Sequence, residues 1–313
     1  MRNKLCRLGV LYLVSAMLIS FLVACAPPPE EVTSSAIEIT DQLGRTVKLD
    51  RIPQRIISLA PSNTEILFAL GLGDKVVGVS DYCNYPSEVQ EKPSIGGFST
   101  PNIEEVVALS PDLILATSIH EKRIIPQLEE KGMTVFALTP KTLDEVLEAI
   151  TLAGEITGKE DRASGLVAQM RNRIKAVTDK TDSLSQEQRL RVFYLTWHDP
   201  LMTCGAGTHH DELIRLAGGT NIARELTGYA DISLEAVIQA NPEVIIAGVG
   251  MGSGKDLSFQ YVRTESRLRN VDARINHRVY SINIDLVGRP GPRIIDALEK
   301  FAQFIHPELF RRD

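Results

Sequence analysis

The amino-acid sequence predicts an α/β protein with two Rossmann-like lobes, in which central parallel sheets are flanked by helices and a long rigid helix joins the lobes. Three observations lead to this prediction. Apolar strand patterns alternate with helical patterns in both halves, one motif occurs in each half, and the segment between the halves carries only helical periodicity. Alternation of this kind is typical of βαβ units, whose strands pair in parallel.

The repeated motif relates the two halves. Residues 103–116 (IEEVVALSPDLILA) match residues 234–247 (LEAVIQANPEVIIA), and both Pro111 and Pro242 follow a short amphipathic helix. The apolar run after each proline is typical of a strand buried on both faces of a parallel sheet. A single repeat over so long an interval indicates two similar lobes and not a solenoid.

The N-terminus has the layout of a bacterial export signal. Basic residues precede an apolar run from Leu8 to Ala24, and the junction Leu22-Val23-Ala24-Cys25 resembles the lipobox of bacterial lipoproteins. We therefore expect Cys25 to be lipidated and the protein to be extracytoplasmic, anchored to a bacterial membrane by its N-terminal lipid. An ordinary secretory signal and a single anchor helix are the alternatives, although the run is shorter than the about 20 residues of a membrane span.

The chain divides into five segments by composition and periodicity. The residues after Cys25 are rich in proline and polar side chains, which is typical of a tether. The segment between the halves carries two apolar stripes separated by Gly158, and the second suits a helix of about 20 residues and about 30 Å. The predicted boundaries are 1–25 for the signal peptide, 26–36 for the tether, 37–142 for the N-terminal lobe, 143–188 for the helical connector and 189–313 for the C-terminal lobe.

Each lobe is predicted to begin with a strand, a loop and a helix. The first helix covers residues 64–70 in the N-terminal lobe and residues 210–217 in the C-terminal lobe, and glycine closes both. The predicted strands cover residues 55–60, 76–80, 113–117 and 134–138 in the N-terminal lobe, and residues 191–195, 244–247 and 279–282 in the C-terminal lobe.

Charge and cysteine content limit the classes of function. The formal net charge of −6 argues against a nucleic-acid partner, because such partners require a basic surface. After signal removal and lipidation of Cys25, only Cys83 and Cys204 remain, which is too few for a disulfide scaffold. The sequence leaves open whether these two form a single bridge.

Three segments carry a resemblance to a known family, namely residues 80–86 (SDYCNYP), 96–102 (GGFSTPN) and 289–293 (RPGPR). With the two lobes, the rigid helix and the lipid tether, they make the chain similar to the periplasmic substrate-binding proteins of ABC importers for cobalamin, haem and ferric siderophores. The similarity is greatest to the cobalamin-binding lipoproteins. It implies a monomer without enzymatic activity or cofactor, which binds a corrinoid as transported ligand and delivers it to a permease dimer with ATPase subunits.

The ligand cleft is expected between the lobes, in loops at the carboxyl ends of the strands. Trp197, the only tryptophan, follows a predicted strand, and flat aromatic side chains suit a flat corrin macrocycle. Phe98 and Tyr229 stand where the family usually has tryptophan. The predicted ligand-binding residues are Tyr82, Tyr85, Phe98, Trp197, His198, Met202, Tyr229, Asp285 and Arg289.

The resemblance also implies a docking role for two glutamates. In the family, one acidic residue on each lobe pairs with arginines of the permease, and Glu104 and Glu235 occupy these places in the repeated motif. Two separated carboxylates that face a two-fold basic partner fix its orientation. The alternative is that both are solvated glutamates favoured by the helix dipole.

Two alternative functions remain open. A haem or ferric-siderophore ligand calls for cations in the cleft, for which Arg289 and Arg293 are candidates. An extracytoplasmic metal-dependent hydrolase would use the histidines. The adjacent His209 and His210 do not match zinc-ligand spacing, so we predict no metal site. His198 is a candidate axial ligand for cobalt or haem iron.

Overall fold

The computed structural model describes residues 37–250 and 256–310, and every structural statement below refers to them. The predicted signal peptide, the tether and Cys25 lie outside these residues. Within the described ranges, no helix combines the length and the apolar character needed to cross a membrane.

The N-terminal lobe contains a four-stranded parallel sheet, which confirms the predicted fold class in this half. Its elements are β1 (Ile37–Thr40), β2 (Thr46–Leu49), β3 (Ile56–Ser58), α1 (Pro61–Ala69), β4 (Val76–Val79), α2 (Ile103–Ala108), β5 (Leu113–Ala116), α3 (Ile124–Glu130) and β6 (Val135–Ala137). The parallel sheet has the order β4-β3-β5-β6, and β1 and β2 form a separate antiparallel hairpin. All residues of β5 are buried, so its continuous apolar run covers both faces of the strand.

The connector consists of α4 (Leu143–Thr157) and α5 (Glu160–Thr181). The Thr142 side chain caps α4 by accepting the backbone N–H of Glu145. Gly158 ends α4 in the left-handed conformation at φ 66°, which glycine adopts without steric cost. The glycine between the two predicted apolar stripes therefore marks the turn between two helices.

Helix α5, with 22 residues, contacts both lobes. Near its N-terminus, Arg162 Nε donates to the carbonyl oxygen of Ala69 at the end of α1 (3.2 Å). About three turns farther along, Arg173 donates to the carboxylates of Glu299 (2.8 Å) and Asp296 (2.6 Å) in the C-terminal lobe. The hydrogen bond accepted by Glu299 is the main reason that the pKa of Arg173 lies above its ordinary value. The predicted rigid connection between the lobes is confirmed as this helix.

The C-terminal lobe repeats the parallel sheet and adds a smaller one. Its elements are β7 (Leu190–Leu195), β8 (Trp197–His198), β9 (Leu201–Cys204), α6 (His209–Leu216), β10 (Gly219–Asn221), β11 (Tyr229–Asp231), α7 (Leu234–Ala240), β12 (Val244–Val249), α8 (Leu257–Thr264), α9 (Asp272–Ile275), β13 (Val279–Asn283), α10 (Ile284–Val287), α11 (Ile294–Ile305) and α12 (Pro307–Phe310). The parallel sheet has the order β10-β7-β12-β13, and β11-β9-β8 form an antiparallel sheet that the sequence analysis did not predict.

The repeated motif folds in the same way in both lobes. Asn102 caps α2 and Ser233 caps α7, and each side chain accepts a backbone N–H from the first turn. The residue before each proline, Ser110 or Asn241, has a positive φ of 46° or 43°. A positive φ is uncommon for residues other than glycine. Its occurrence at equivalent positions indicates that the same local packing produces the turn in both copies of the motif.

An arginine completes each copy of the motif. Arg55 Nε donates to the two carbonyls that follow α2, and Arg191 Nε donates to the last carbonyl of α7 and the one after it. The carboxylates of Asp112 and Glu243 accept the backbone N–H groups of Arg55 and Arg191 respectively. Side-chain donors at a helix C-terminus satisfy carbonyls that have no partner within the helix.

Two adjacent histidines at the start of α6 are buried in the C-terminal lobe. His209 Nε2 lies within hydrogen-bond distance of the Val287 carbonyl oxygen, and the Tyr229 hydroxyl lies 3.3 Å from His210 Nδ1. Burial lowers the pKa of both imidazoles, and the neighbouring charge of His209 lowers that of His210 further. The folded protein therefore favours the neutral form of both side chains.

Acidification is expected to destabilise the protein through these histidines. Below pH 6.5 the unfolded chain binds protons at His209 and His210, whereas the folded chain does so only at lower pH. The free energy of unfolding should therefore decrease as the pH falls from 6.5 towards the lowered pKa values. Urea unfolding at about pH 7.5 and about pH 5.5 measures the decrease.

The variant His210→Gln should lose less stability over this interval than the unmodified chain, because it lacks one of the histidines whose pKa is lowered in the folded state. The exposed His277 provides a matched control, and His277→Asn should leave the pH dependence unchanged. If the free energy of unfolding of His210→Gln has the same pH dependence as that of the unmodified chain, His210 does not cause the loss of stability at low pH.

Candidate functional site

Three of the predicted ligand-binding residues share one face of the small antiparallel sheet. Trp197 pairs with Met202, and Tyr229 pairs with Cys204, two positions farther along β9. Because side chains alternate across a strand, Trp197, Met202 and Tyr229 occupy the same face. Tyr229 is 51% exposed, and the other two are partly buried. We call these three residues the aromatic face.

Trp197 lies at the carboxyl ends of the parallel strands. It follows β7 after one residue, Thr196, and its Nε1 donates to the carbonyl oxygen of Asp199 (2.7 Å), which orients the indole. The indole lines a small recess with Gly248 of β12 and with Ile284, the residue after β13. Ligands of open α/β sheets bind at this edge, so the position matches the predicted cleft.

His198 occupies the opposite face of the sheet. Its ring centroid lies 6.1 Å from that of Tyr261 in α8 and 4.9 Å from that of Trp197. Its Nδ1 is buried and has no hydrogen-bond partner among the described residues. The imidazole therefore packs between the small sheet and α8, behind the aromatic face and not on it.

The N-terminal lobe contributes a loop that follows β4. Tyr82 and Tyr85 of this loop are 62% and 45% exposed, which leaves both rings available to a ligand. Phe98 lies on a second loop, where its ring contacts His120 edge to face with centroids 5.6 Å apart. His120 Nε2 also lies 2.7 Å from the Phe98 carbonyl oxygen, and burial lowers the pKa of this histidine. His120 thus holds the Phe98 loop in place.

The β4 loop contacts the C-terminal lobe through Asp285 and Arg289. Asn84 Nδ2 donates to Asp285 (3.0 Å), and Arg289 donates to Asn84 Oδ1 (2.7 Å) and to the Tyr82 carbonyl oxygen (3.0 Å). Asp285 and Arg289 also form an ion pair at 2.8 Å. The structure therefore brings four of the predicted site residues, Tyr82, Tyr85, Asp285 and Arg289, to the junction of the lobes.

Glu65 of α1 binds two arginines at this junction. Its carboxylate accepts hydrogen bonds from Arg293 (2.6 and 2.8 Å) and from Arg289 (3.3 Å), and its side chain is only 2% exposed. The Arg293 guanidinium also lies 3.8 Å from the centroid of the Tyr85 ring, within the range of a cation–π interaction. We call Glu65, Asn84, Asp285, Arg289 and Arg293 the junction cluster.

The charges of the junction cluster balance. Burial alone would lower the pKa of Arg293, but the hydrogen bond and charge interaction with Glu65, together with the charges of Tyr85 and Asp285, raise it above the ordinary value. Sequence analysis identified Asp285 and both arginines but missed Glu65 and Asn84. A single carboxylate in the otherwise uncharged helix PSNTEILFA was the available signal for Glu65.

The two glutamates of the repeated motif are exposed at matching positions. Glu104 and Glu235 each occupy the second position after the capping residue of α2 and α7. Glu235 has a long contact of 3.8 Å to Arg267, and the side chains of Glu235 and Arg267 are each more than half exposed. Exposed pairs of this kind contribute little free energy, so Glu235 remains available to a partner.

The cysteines and histidines of the described residues form neither a disulfide nor a metal site. Cys83 and Cys204 are buried free thiols, so the bridge that the sequence left open is absent. Burial raises the pKa of both thiols. Across the residues with described positions, no three His, Cys, Asp or Glu side chains are grouped so as to hold a metal ion.

Comparison with known proteins places the chain in a family. Residues 56–286 match the periplasmic binding protein family. An uncharacterized ABC transporter substrate-binding lipoprotein of Bacillus subtilis is 33% identical over 306 residues, which cover 93% of this chain and 94% of the relative.

Two solved structures have the same fold. The periplasmic vitamin B12 binding protein of Vibrio cholerae has a TM-score of 0.69 and 29% identity, and the match covers 83% of this chain and 99% of that chain. A periplasmic haem-binding protein of Roseiflexus sp. RS-1 has a TM-score of 0.73 and 25% identity over 82% and 99% of the two chains. The chain therefore belongs to the periplasmic binding protein family and is a substrate-binding protein of an ABC importer.

Proposed function

We propose that the protein binds cobalamin or a related corrinoid between its lobes and delivers it to a permease dimer. The observation that carries the proposal is that the aromatic face and the charge-balanced junction cluster both lie at the carboxyl ends of the parallel strands. A corrin offers a flat apolar macrocycle for aromatic contact and amide arms for polar contact. The similarity to the Vibrio cholerae vitamin B12 binding protein supports the same ligand class.

A haem or ferric-siderophore ligand is the second candidate. The similarity to a haem-binding protein favours it. Haem and most siderophores are anionic, so they require cations that are free to pair with them. In the junction cluster, Glu65 and Asp285 already pair with both arginines, and this favours the corrinoid.

A metal-dependent hydrolase has less support. The pair His209 and His210 is buried against Val287 and Tyr229, and one ring nitrogen of each histidine has a hydrogen-bond partner there. We therefore propose a binding protein without catalytic activity.

Ligand binding is expected to quench the fluorescence of Trp197. This residue is the only tryptophan, and a corrin absorbs light where an indole emits it, so the signal reports on one position. The variant Trp197→Ala should weaken corrinoid binding by about 1 to 3 kcal/mol, whereas Trp197→Phe, which keeps an aromatic ring, should lose less. Unchanged fluorescence at saturating cobalamin would remove Trp197 from the site.

We further propose that Glu104 and Glu235 dock on arginines of the permease. Replacing both by alanine should abolish transport in reconstituted vesicles and leave cobalamin affinity unchanged. Each pair should contribute about 2 to 5 kcal/mol if it is desolvated in the complex. Reversal of both charges to lysine should be worse than alanine, because it opposes like charges.

The exposed Glu105, next to Glu104, is the matched control for this experiment. Glu105→Ala should leave transport intact. Normal transport by the double alanine variant, or a loss of cobalamin affinity in it, would overturn the docking assignment.

We also propose that Cys25 is the lipidated N-terminus of the mature protein. The supporting observations are the lipobox-like junction and the similarity to a lipoprotein of Bacillus subtilis. The variant Cys25→Ala should appear in the soluble fraction after export, and its retention in membranes without processing would indicate an anchor helix instead.

A further inference from the structure

Glu65 is a buried carboxylate whose position needs an explanation. It lies in a helix with no other charged side chain, and only 2% of its own side chain is exposed. A buried carboxylate is unfavourable unless it is paired and hydrogen-bonded. Glu65 meets this condition only by holding Arg289 and Arg293 from the other lobe.

Without the Glu65 charge, Arg289 would keep a carboxylate partner but Arg293 would not. Arg289 retains Asp285 at 2.8 Å, but the hydrogen bonds of Arg293 at the junction go to Glu65. Removing the Glu65 charge therefore leaves one uncompensated guanidinium beside the exposed ring of Tyr85. An unpaired guanidinium in a partly buried site attracts carboxylates, which it binds in bidentate fashion.

We propose that Glu65 determines specificity by neutralising the junction cluster, so that the cleft selects ligands with uncharged polar arms and rejects otherwise identical ligands that carry carboxylates. The proposal rests on the corrinoid-binding function and deepens it. Glu65 acts through the arginines and is in this sense a positioning residue. A carboxylate arm that approaches the cluster finds both cations occupied and a buried negative charge beside them.

The test uses two ligands that differ in one group, cyanocobalamin and its derivative with one propionamide hydrolysed to a carboxylate. Calorimetry on the purified full chain in detergent gives the affinity ratio of amide to carboxylate. The unmodified protein should prefer the amide by about tenfold, and Glu65→Gln should bring the ratio to about one or invert it. An equal ratio in both proteins would overturn the proposal.

Two further variants separate charge from structure. Glu88 is exposed and lines the same recess of about 290 Å³ as Glu65 and Arg293, so Glu88→Gln removes one negative charge nearby without touching the arginines. It should leave the ratio unchanged. The double variant Glu65→Gln with Arg293→Gln restores charge balance and should restore the preference for the amide. Failure of this restoration, with the fold verified by circular dichroism, would contradict the charge mechanism.

Failure of the proposed function has a different signature. If the unmodified protein does not bind cyanocobalamin, the corrinoid assignment is wrong. The same variants are then compared with haemin and its dimethyl ester, which lacks the two propionate charges. Glu65→Gln should shift the preference towards haemin, with its two carboxylates, by about tenfold relative to the unmodified protein. An unchanged preference there would overturn the role of Glu65 as well.

Discussion

A buried carboxylate of one lobe holds two arginines of the other, and the geometry of the cleft depends on this contact. Glu65 belongs to the first helix after β3, whereas Arg289 and Arg293 lie in the segment between α10 and α11. Removing one partner of a buried ion pair typically costs about 3 to 5 kcal/mol, because it leaves an unpaired charge. The same contact orders the β4 loop, since Arg289 also binds Asn84 and the Tyr82 carbonyl.

Helix α5 and the junction cluster both join the lobes, but they differ in mechanical properties. Helix α5 contacts both lobes through Arg162 and Arg173, and a helix resists bending. The junction cluster lies at the carboxyl ends of the parallel strands and consists of side-chain contacts that can separate. We therefore expect small changes of angle on ligand binding, with the junction cluster as the part that moves.

The sequence predicted the elements whose pattern is local. Strands buried on both faces appear as continuous apolar runs, and the repeated motif preserved even the turn at Ser110 and Asn241. The antiparallel sheet was missed, because β8 has two residues and carries no period. Glu65 was missed because its partners lie 224 and 228 positions away, a pairing that only the packed lobes bring about. Its helix also begins earlier than predicted, at Pro61, because proline suits the first turn.

Competition between a corrinoid, haemin and a ferric siderophore identifies the ligand class of the protein. The purified full chain is incubated with equimolar cyanocobalamin, haemin and a ferric siderophore, then desalted, and the absorbance spectrum of the protein fraction is recorded. The charge-balanced junction cluster and the aromatic face together predict corrinoid at one equivalent per chain and little of the other two. A protein fraction that carries the haem or siderophore spectrum without corrin absorbance would show that the protein is not a corrinoid-binding protein.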